Sequence, residues 1–315
     1  MENKSQIIPD LVLLGLIEME GFKYLYFVIT LVIYVSILVL CLMIVAIIWN
    51  EPSLHEPMYS FICNLIVNGM FGSAAFYPKL MIDLLSGYTT ISLGGCLVQA
   101  FCLQTYACVD IFTFTIIAYD RYLAVCFPLR YPTLMTNKKT LKYIAVAWGF
   151  VFIYQTVFVV WTSSLSLCGA TINNVYCETM SLMKLSCGNS SLINILGSFM
   201  TILMVVSSLL VVVYCYIRTF VICLKISKEA CQKAIHTLVT HLLAFSTFMA
   251  ATLFVGFRYR LNIGGVSSNF HLVIAVTGLG VSTTLNPLIY GLRTEVLRKQ
   301  IIKKIHMYLK LGKPD

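Results

Sequence analysis

The chain reads as an all-α membrane protein, a bundle of seven transmembrane helices with the N-terminus outside and the C-terminus inside. Three observations predict this. The 315 residues are 59% hydrophobic and only 11% charged, against about 25% charged in soluble domains, so lipid must solvate much of the surface. Seven apolar runs reach the roughly 20 residues that a spanning helix needs. The basic residues gather on one side of those runs.

In chain order the runs are Tyr24–Ile48, Met58–Leu84, Leu93–Val125, Leu141–Trp161, Leu192–Cys223, Ala234–Phe257 and Phe270–Tyr290. Gly and Pro occur inside several, and membrane helices tolerate both. A β-barrel would show short alternating segments, and these runs do not alternate. Met1–Asp10 is polar and lacks a basic segment leading into an apolar core, so the first run is expected to serve as signal anchor. Residues 1–23 then form an extracellular tail, 24–291 the seven-helix domain, and 292–315 a cytoplasmic helix and tail. In that last segment Val296, Leu297, Ile301, Ile302, Ile305 and Leu309 recur among basic residues, the pattern of an amphipathic helix on the inner leaflet.

Orientation follows from charge. With the N-terminus outside, the inner segments hold Arg121, Arg130, Lys138, Lys139 and Lys142, then Arg218, Lys225, Lys228 and Lys233. The C-terminal segment adds seven more from Arg293 to Lys313. Only Lys4, Lys23, Lys79, Lys184, Arg258 and Arg260 of the 22 remain outside. This is the positive-inside pattern, and the net charge of +9 reads as topology and attraction to anionic lipid. Nucleic-acid binding would want a basic face on a soluble module. Sequons at Asn3 and Asn189 fall outside, where glycosylation is chemically allowed.

Of twelve cysteines, eight fall in helices or on the inner side, where thiols stay reduced. Cys96, Cys168, Cys177 and Cys187 fall outside, and four cysteines allow three pairings.

Two charged features within the third run stand out. Asp120 and Arg121 adjoin at the inner end of the third run, where charge beside hydrocarbon marks a functional site or a snorkelling anchor. Asp110 lies 11 residues earlier, about three turns up the same helix. At that depth a carboxylate needs a cation, a donor or a proton. His236 and His241 are five apart, which does not align metal ligands on one helix face. There is no nucleophile–base pair, phosphate-cradling glycine loop or paired catalytic carboxylates, so enzyme activity has no support.

Four further segments carry a resemblance. These are Leu54-His55-Glu56-Pro57-Met58-Tyr59, Tyr119-Asp120-Arg121-Tyr122-Leu123-Ala124-Val125-Cys126, Lys233-Ala234-Ile235-His236-Thr237 with His241-Leu242, and Leu285-Asn286-Pro287-Leu288-Ile289-Tyr290-Gly291. In this order and spacing they resemble the olfactory (odorant) receptors of the rhodopsin-like class A G-protein-coupled receptors, with wording closer to fish-type members around His55–Tyr59 and Asn68–Lys79. Cys41 and Gly69 stand where the wider class carries Asn and Asp.

The resemblance implies a receptor that binds a small odorant and activates a stimulatory, olfactory-type heterotrimeric G protein, raising cyclic AMP at the plasma membrane of olfactory cilia. It implies switch roles for Asp120, Arg121, Tyr122, Tyr214, His236, His241, Asn286, Pro287 and Tyr290. It pairs Cys96 with Cys177 and Cys168 with Cys187, which would clamp the second outer loop as a lid. It implies no cofactor beyond a sodium ion at Asp110 with Asn286, Ser282 and Asn68; a protonated Asp110 is the alternative.

The implied pocket lies in the outer half of the bundle. Helical spacing puts Leu103, Gln104, Ala107, Cys108 and Ile111 on one stripe and Met249, Leu253, Phe254 and Phe257 on another. Arg258 and Arg260 would suit a water-soluble or anionic ligand, or else lipid headgroups. Two rivals stay open: a class A receptor for a non-odorant ligand, and a transporter or channel, although no internal repeat supports the latter.

Overall fold

A computed structural model describes residues 10–87, 89–260, 278, 280, 283–291 and 296–303. The side chains of residues 17–20, 233 and 254–260 lie outside that description. Six helices in it are long and apolar enough to cross a membrane. They are α1 (Lys23–Asn50), α2 (Pro57–Ser86), α3 (Leu93–Cys126), α5 (Asn137–Ser163), α7 (Ser191–Cys223) and α8 (Lys228–Arg260). Between them lie two short helices, α4 (Tyr131–Leu134) and α6 (Thr179–Lys184). Residues 283–291, the inner end of the seventh run, are helical, as are residues 296–303.

Local chemistry sets the helix ends. Pro57 opens α2 at a position where the missing N–H costs nothing. The chain leaves α2 through Gly87 at φ 71°, the left-handed conformation that glycine adopts without strain. Ser92 starts α3 by accepting the Gly95 N–H at 3.1 Å, and Thr136 starts α5 by accepting that of Lys139 at 3.3 Å. Each side chain satisfies an otherwise orphaned amide.

Burial separates lipid-facing from bundle-facing surfaces. On α1 Ile37, Cys41, Ile44 and Ile47 are buried, whereas Val28, Val32, Val39 and Leu42 are exposed. α3 is the axis and packs against α2, α5, α7 and α8. The α2–α3 crossing is close: a Cβ on Gly72 would sit 2.6 Å from Tyr106 Cγ. Three side chains lace α2, α3 and α5. Trp148 Nε1 donates to Asn64 Oδ1 at 2.9 Å, and Asn64 Nδ2 donates to Thr113 Oγ1 at 2.8 Å.

The outer face carries a small sheet in the order β2-β1-β3. β1 (Leu11–Leu13) pairs antiparallel with β2 (Thr90–Ile91) and parallel with β3 (Thr171–Ile172). Leu11, Leu13, Ile91, Ile172 and Leu182 close over the Cys96–Cys177 bridge as a satellite core. The segment before α1 is therefore woven into the outer loops from Leu11 onward, where the sequence suggested a tail. Cys168 and Cys187 are bonded as well, with Cα atoms 5.2 Å apart.

Candidate functional site

Helix α3 is long enough to present three polar levels to the bundle interior. At its inner end Asp120 is fully buried. Arg121 donates to Asp120 Oδ2 from Nε at 3.1 Å and from Nη2 at 2.5 Å. Tyr131, on α4 in the inner loop, donates its hydroxyl to Asp120 Oδ1 at 2.7 Å. Burial and the adjacent carboxylate hold the Tyr131 phenol protonated well above the usual tyrosine range. The arginine is thus folded back onto its neighbour, and a loop residue steadies the acceptor. In the same inner loop Leu129 is 96% exposed, a large apolar side chain without cover.

One level outward, Phe114 of α3 and His241 of α8 centre a ring cluster that draws on four helices. The Phe114 centroid lies 5.8 Å from His241, 5.8 Å from Phe245 and 5.4 Å from Phe248. His241 also meets Tyr216 and Tyr290, each at 6.4 Å between centroids. The Tyr290 hydroxyl lies 3.4 Å from His241 Nδ1. The α7 tyrosine in this cluster is Tyr216. Tyr214, named from the sequence, is 55% exposed, and its ring lies tilted beside that of Tyr122 with centroids 6.0 Å apart. His236 is exposed, on a different face of α8 from His241.

The third level is Asp110, fully buried. Asn68 Nδ2 donates to Asp110 Oδ1 and to the Tyr106 carbonyl, both at 2.8 Å. Asn286 is buried; Pro287 follows it in the same helical segment. Ser282 lies outside the described residues. Among the described residues no group of three His, Cys, Asp or Glu could hold a metal ion.

The outer pocket stripes divide. Leu103, Ala107, Ile111 and Met249 share the main core. Gln104 Nε2 reaches up to Thr179 Oγ1 at 2.8 Å, tying α3 to the second outer loop. Cys108 turns away to α5, where Gln155 donates to its sulfur at 3.3 Å. Leu253 is 46% exposed, because on a membrane helix an apolar side chain is as well served by lipid as by the bundle. Phe254, Phe257, Arg258 and Arg260 occupy the outer end of α8, and their side chains lie outside the described residues.

The lid is anchored by residues that sequence patterning gave no reason to single out. Gln99 is buried; its Oε1 accepts the Cys177 N–H at 2.8 Å, and its Nε2 donates to the Ala75 carbonyl at 3.0 Å. Lys79 pairs with buried Asp83 and donates to the Thr90 carbonyl at 3.0 Å. Tyr176 dips inward until its ring lies 5.7 Å from Phe76. Asn189 is exposed and its Oδ1 accepts the Ser191 N–H, whereas Asn3 lies outside the described residues.

The sequence model of the olfactory receptor family matches residues 30–308, nearly the whole heptahelical span. The chain belongs to the olfactory receptor family. It is 32% identical to olfactory receptor 6Y1 of Homo sapiens over 94% of this chain and 90% of that one. It is 30% identical to olfactory receptor 5AC2 of Homo sapiens, over 96% and 99%, and 31% identical to olfactory receptor 5AP2 of Mus musculus, over 98% of each. The receptor is a multi-pass plasma-membrane protein with an odorant-sensing, G-protein-coupled role, and not an enzyme.

Proposed function

We propose that a small odorant binds in the outer half of the bundle, against Leu103, Ala107, Ile111 and Met249, and that the receptor then activates a stimulatory, olfactory-type G protein and raises cyclic AMP. The observation that carries the coupling is the folded-back Arg121. Its guanidinium is occupied by Asp120, and Asp120 by Tyr131. In the active state the arginine is released, and its planar fork meets carbonyls of the G-protein tail. Leu129, exposed in the inner loop that also carries Tyr131, supplies an apolar contact for the same partner.

The Phe114–His241–Tyr290–Tyr216 cluster links the levels. It joins α3, α7, α8 and the inner end of the seventh helix, so a ligand that favours one packing of these rings shifts the whole bundle. Gln104, bonded to Thr179, lets the loop over the pocket report occupancy. The wording around Asn68–Lys79 tilts towards a water-soluble ligand, and an anionic one would be met by Arg258 or Arg260 where these do not face lipid headgroups.

A sodium ion fits the Asp110 level. Asp110 Oδ2, Asn68 Oδ1 and Asn286 Oδ1 are buried oxygens without a hydrogen-bond donor. Three oxygen acceptors, one of them anionic, are the donor set that a hard monovalent cation takes. Asp110 would hold the ion, with Asn68 and Asn286 as neutral oxygen donors, and the ion would neutralise charge at hydrocarbon depth.

The test is cyclic AMP in cells expressing the receptor with the olfactory-type stimulatory G protein, and in matched cells lacking it. The panel is soluble amines, carboxylates, sulfated steroids and small neutral volatiles. A rise confined to cells with that G protein supports the reading. A rise that survives its removal, or a fall through an inhibitory G protein, overturns it.

A further inference from the structure

Helix α3 packs against both α5 and α7. Near the outer face those two helices also touch each other: a Cβ on Gly197 of α7 would sit 2.8 Å from Phe158 Cε1 of α5. Further in, α3 shows between them. Phe112 packs edge-on against Phe150 of α5, with ring centroids 5.7 Å apart. Tyr119 lies about two turns further in, on the same face of α3. It is 39% exposed, although α3 is otherwise the buried axis of the bundle. Tyr122, beside it at 6.2 Å, turns to α7 and meets Tyr214 at 6.0 Å. These rings floor a groove that opens to lipid. Tyr143, on the Phe150 face of α5, and Tyr214 of α7 stand exposed at its two sides.

A cation stands one helical turn inward of each of these side tyrosines. They are Lys139 on α5 and Arg218 on α7, both exposed. The Lys139 ammonium donates to the Thr133 and Leu134 carbonyls at 3.1 and 3.0 Å, which fix its position without neutralising its charge. No ion pair among the described residues uses either cation. From Arg121 to Lys228 the only carboxylate side chain is Glu178, in the outer loop. The groove is therefore aromatic at hydrocarbon depth and positive at its inner rim. We propose that it holds an anionic phospholipid of the inner leaflet, with Lys139 and Arg218 meeting the phosphate and one acyl chain lying across Tyr119. Charge-assisted hydrogen bonds to phosphate satisfy both cations, and the chain covers the open apolar floor. A free phosphate would leave that floor bare, and a sterol, with one neutral hydroxyl, would leave the cations unmet. The groove backs onto the lock, because Tyr119 and Tyr122 flank Asp120 and Arg121 in the chain.

The site stands independently of the coupling reading, and its test needs no odorant. The full-length receptor is placed in phosphatidylcholine nanodiscs carrying a small fraction of phosphatidylserine with a diazirine in its acyl chain. A matched sample carries the same fraction of diazirine-labelled phosphatidylcholine. After illumination the adducts are mapped by mass spectrometry. Phosphatidylserine adducts are expected to concentrate around Tyr119, Tyr143 and Tyr214. There they should exceed those of phosphatidylcholine by about fivefold or more, the preference that ~1 kcal/mol per basic residue at an anionic headgroup gives. Arg218→Gln should lose most of that preference. Lys225→Gln, which removes a cation from the turn after α7, should keep it. Equal labelling of the groove by the two lipids overturns the proposal, as does labelling spread evenly over the exposed helix faces or an equal loss in Lys225→Gln. Displacement of the phosphatidylserine label by added cholesterol would assign the groove to a sterol and overturn it as well. Because the decisive comparison is between two lipids on the unmodified receptor, poor folding of a variant does not remove it.

Discussion

At the residue scale the inner lock is a matter of donors. Asp120 is buried and accepts from Arg121 on one oxygen and from Tyr131 on the other. Hydrogen bonds to a charged partner contribute about 1.5–3 kcal/mol. Tyr131→Phe removes one donor from the arrangement that keeps Arg121 folded back, leaving the ring in place. Basal cyclic AMP of this variant, at matched surface level, is expected to rise by up to about tenfold, the change that ~1.4 kcal/mol makes in a two-state equilibrium. Unchanged or lower basal signal would show that Tyr131 does not help to hold the resting state. The same scale explains two places where sequence reading fell short. Tyr131 sits in a loop, where no periodicity marks an inward face. Tyr216 and Tyr214 lie two apart on a helix whose local turn is almost wholly apolar, Leu209–Ile217, so spacing could not decide which tyrosine faces His241.

At the element scale, fit between α2 and α3 and the tie between α3 and the lid govern folding. Gly72 is required by close approach. A Cβ there would meet Tyr106 at Cγ and Cβ, atoms too near the backbone to swing aside. Overpacking of this kind costs about 1–3 kcal/mol. Gly72→Val is therefore expected to lower surface expression at least severalfold by flow cytometry; wild-type levels would mean that the helices separate at little cost. Cys177→Ser releases Cys96 and unfastens the loop that Gln99 and the β1 strand also hold. Surface display is expected to be lost in that variant, and normal display with a normal ligand response would show that the lid needs no bridge. The helices themselves were plain in the sequence, because long apolar runs have few alternatives. The β2-β1-β3 sheet was not, because Leu11–Leu13 is too short to show alternation and both of its partners are distant in the chain.

At the scale of the whole molecule, α3 collects every level of the proposed signal path: the Gln104 tie to the loop, Asp110, the Phe114 ring cluster and the Asp120–Arg121 lock. Charge asymmetry and the ordered motifs made this architecture legible without coordinates. The sequence could name the helices that surround the pocket, but not which stripe faces it. Cys108 turns to α5 and Leu253 to lipid, and a heptahelical bundle offers each apolar side chain both choices. If the Asp110 level holds sodium, raising sodium should right-shift the agonist response of the native receptor, whereas Asp110→Asn should respond alike at low and high sodium; a shift that persists in Asp110→Asn would place the ion elsewhere.

The measurement that bears most directly on this account is agonist-stimulated cyclic AMP for Arg121→Ala beside the native receptor, at equal surface expression and with the olfactory-type stimulatory G protein present. The account predicts loss of at least nine-tenths of the response, about 1.4 kcal/mol or more of coupling, with the variant still at the surface. A full response from Arg121→Ala would contradict it, since nothing else in the lock presents a cation to the partner.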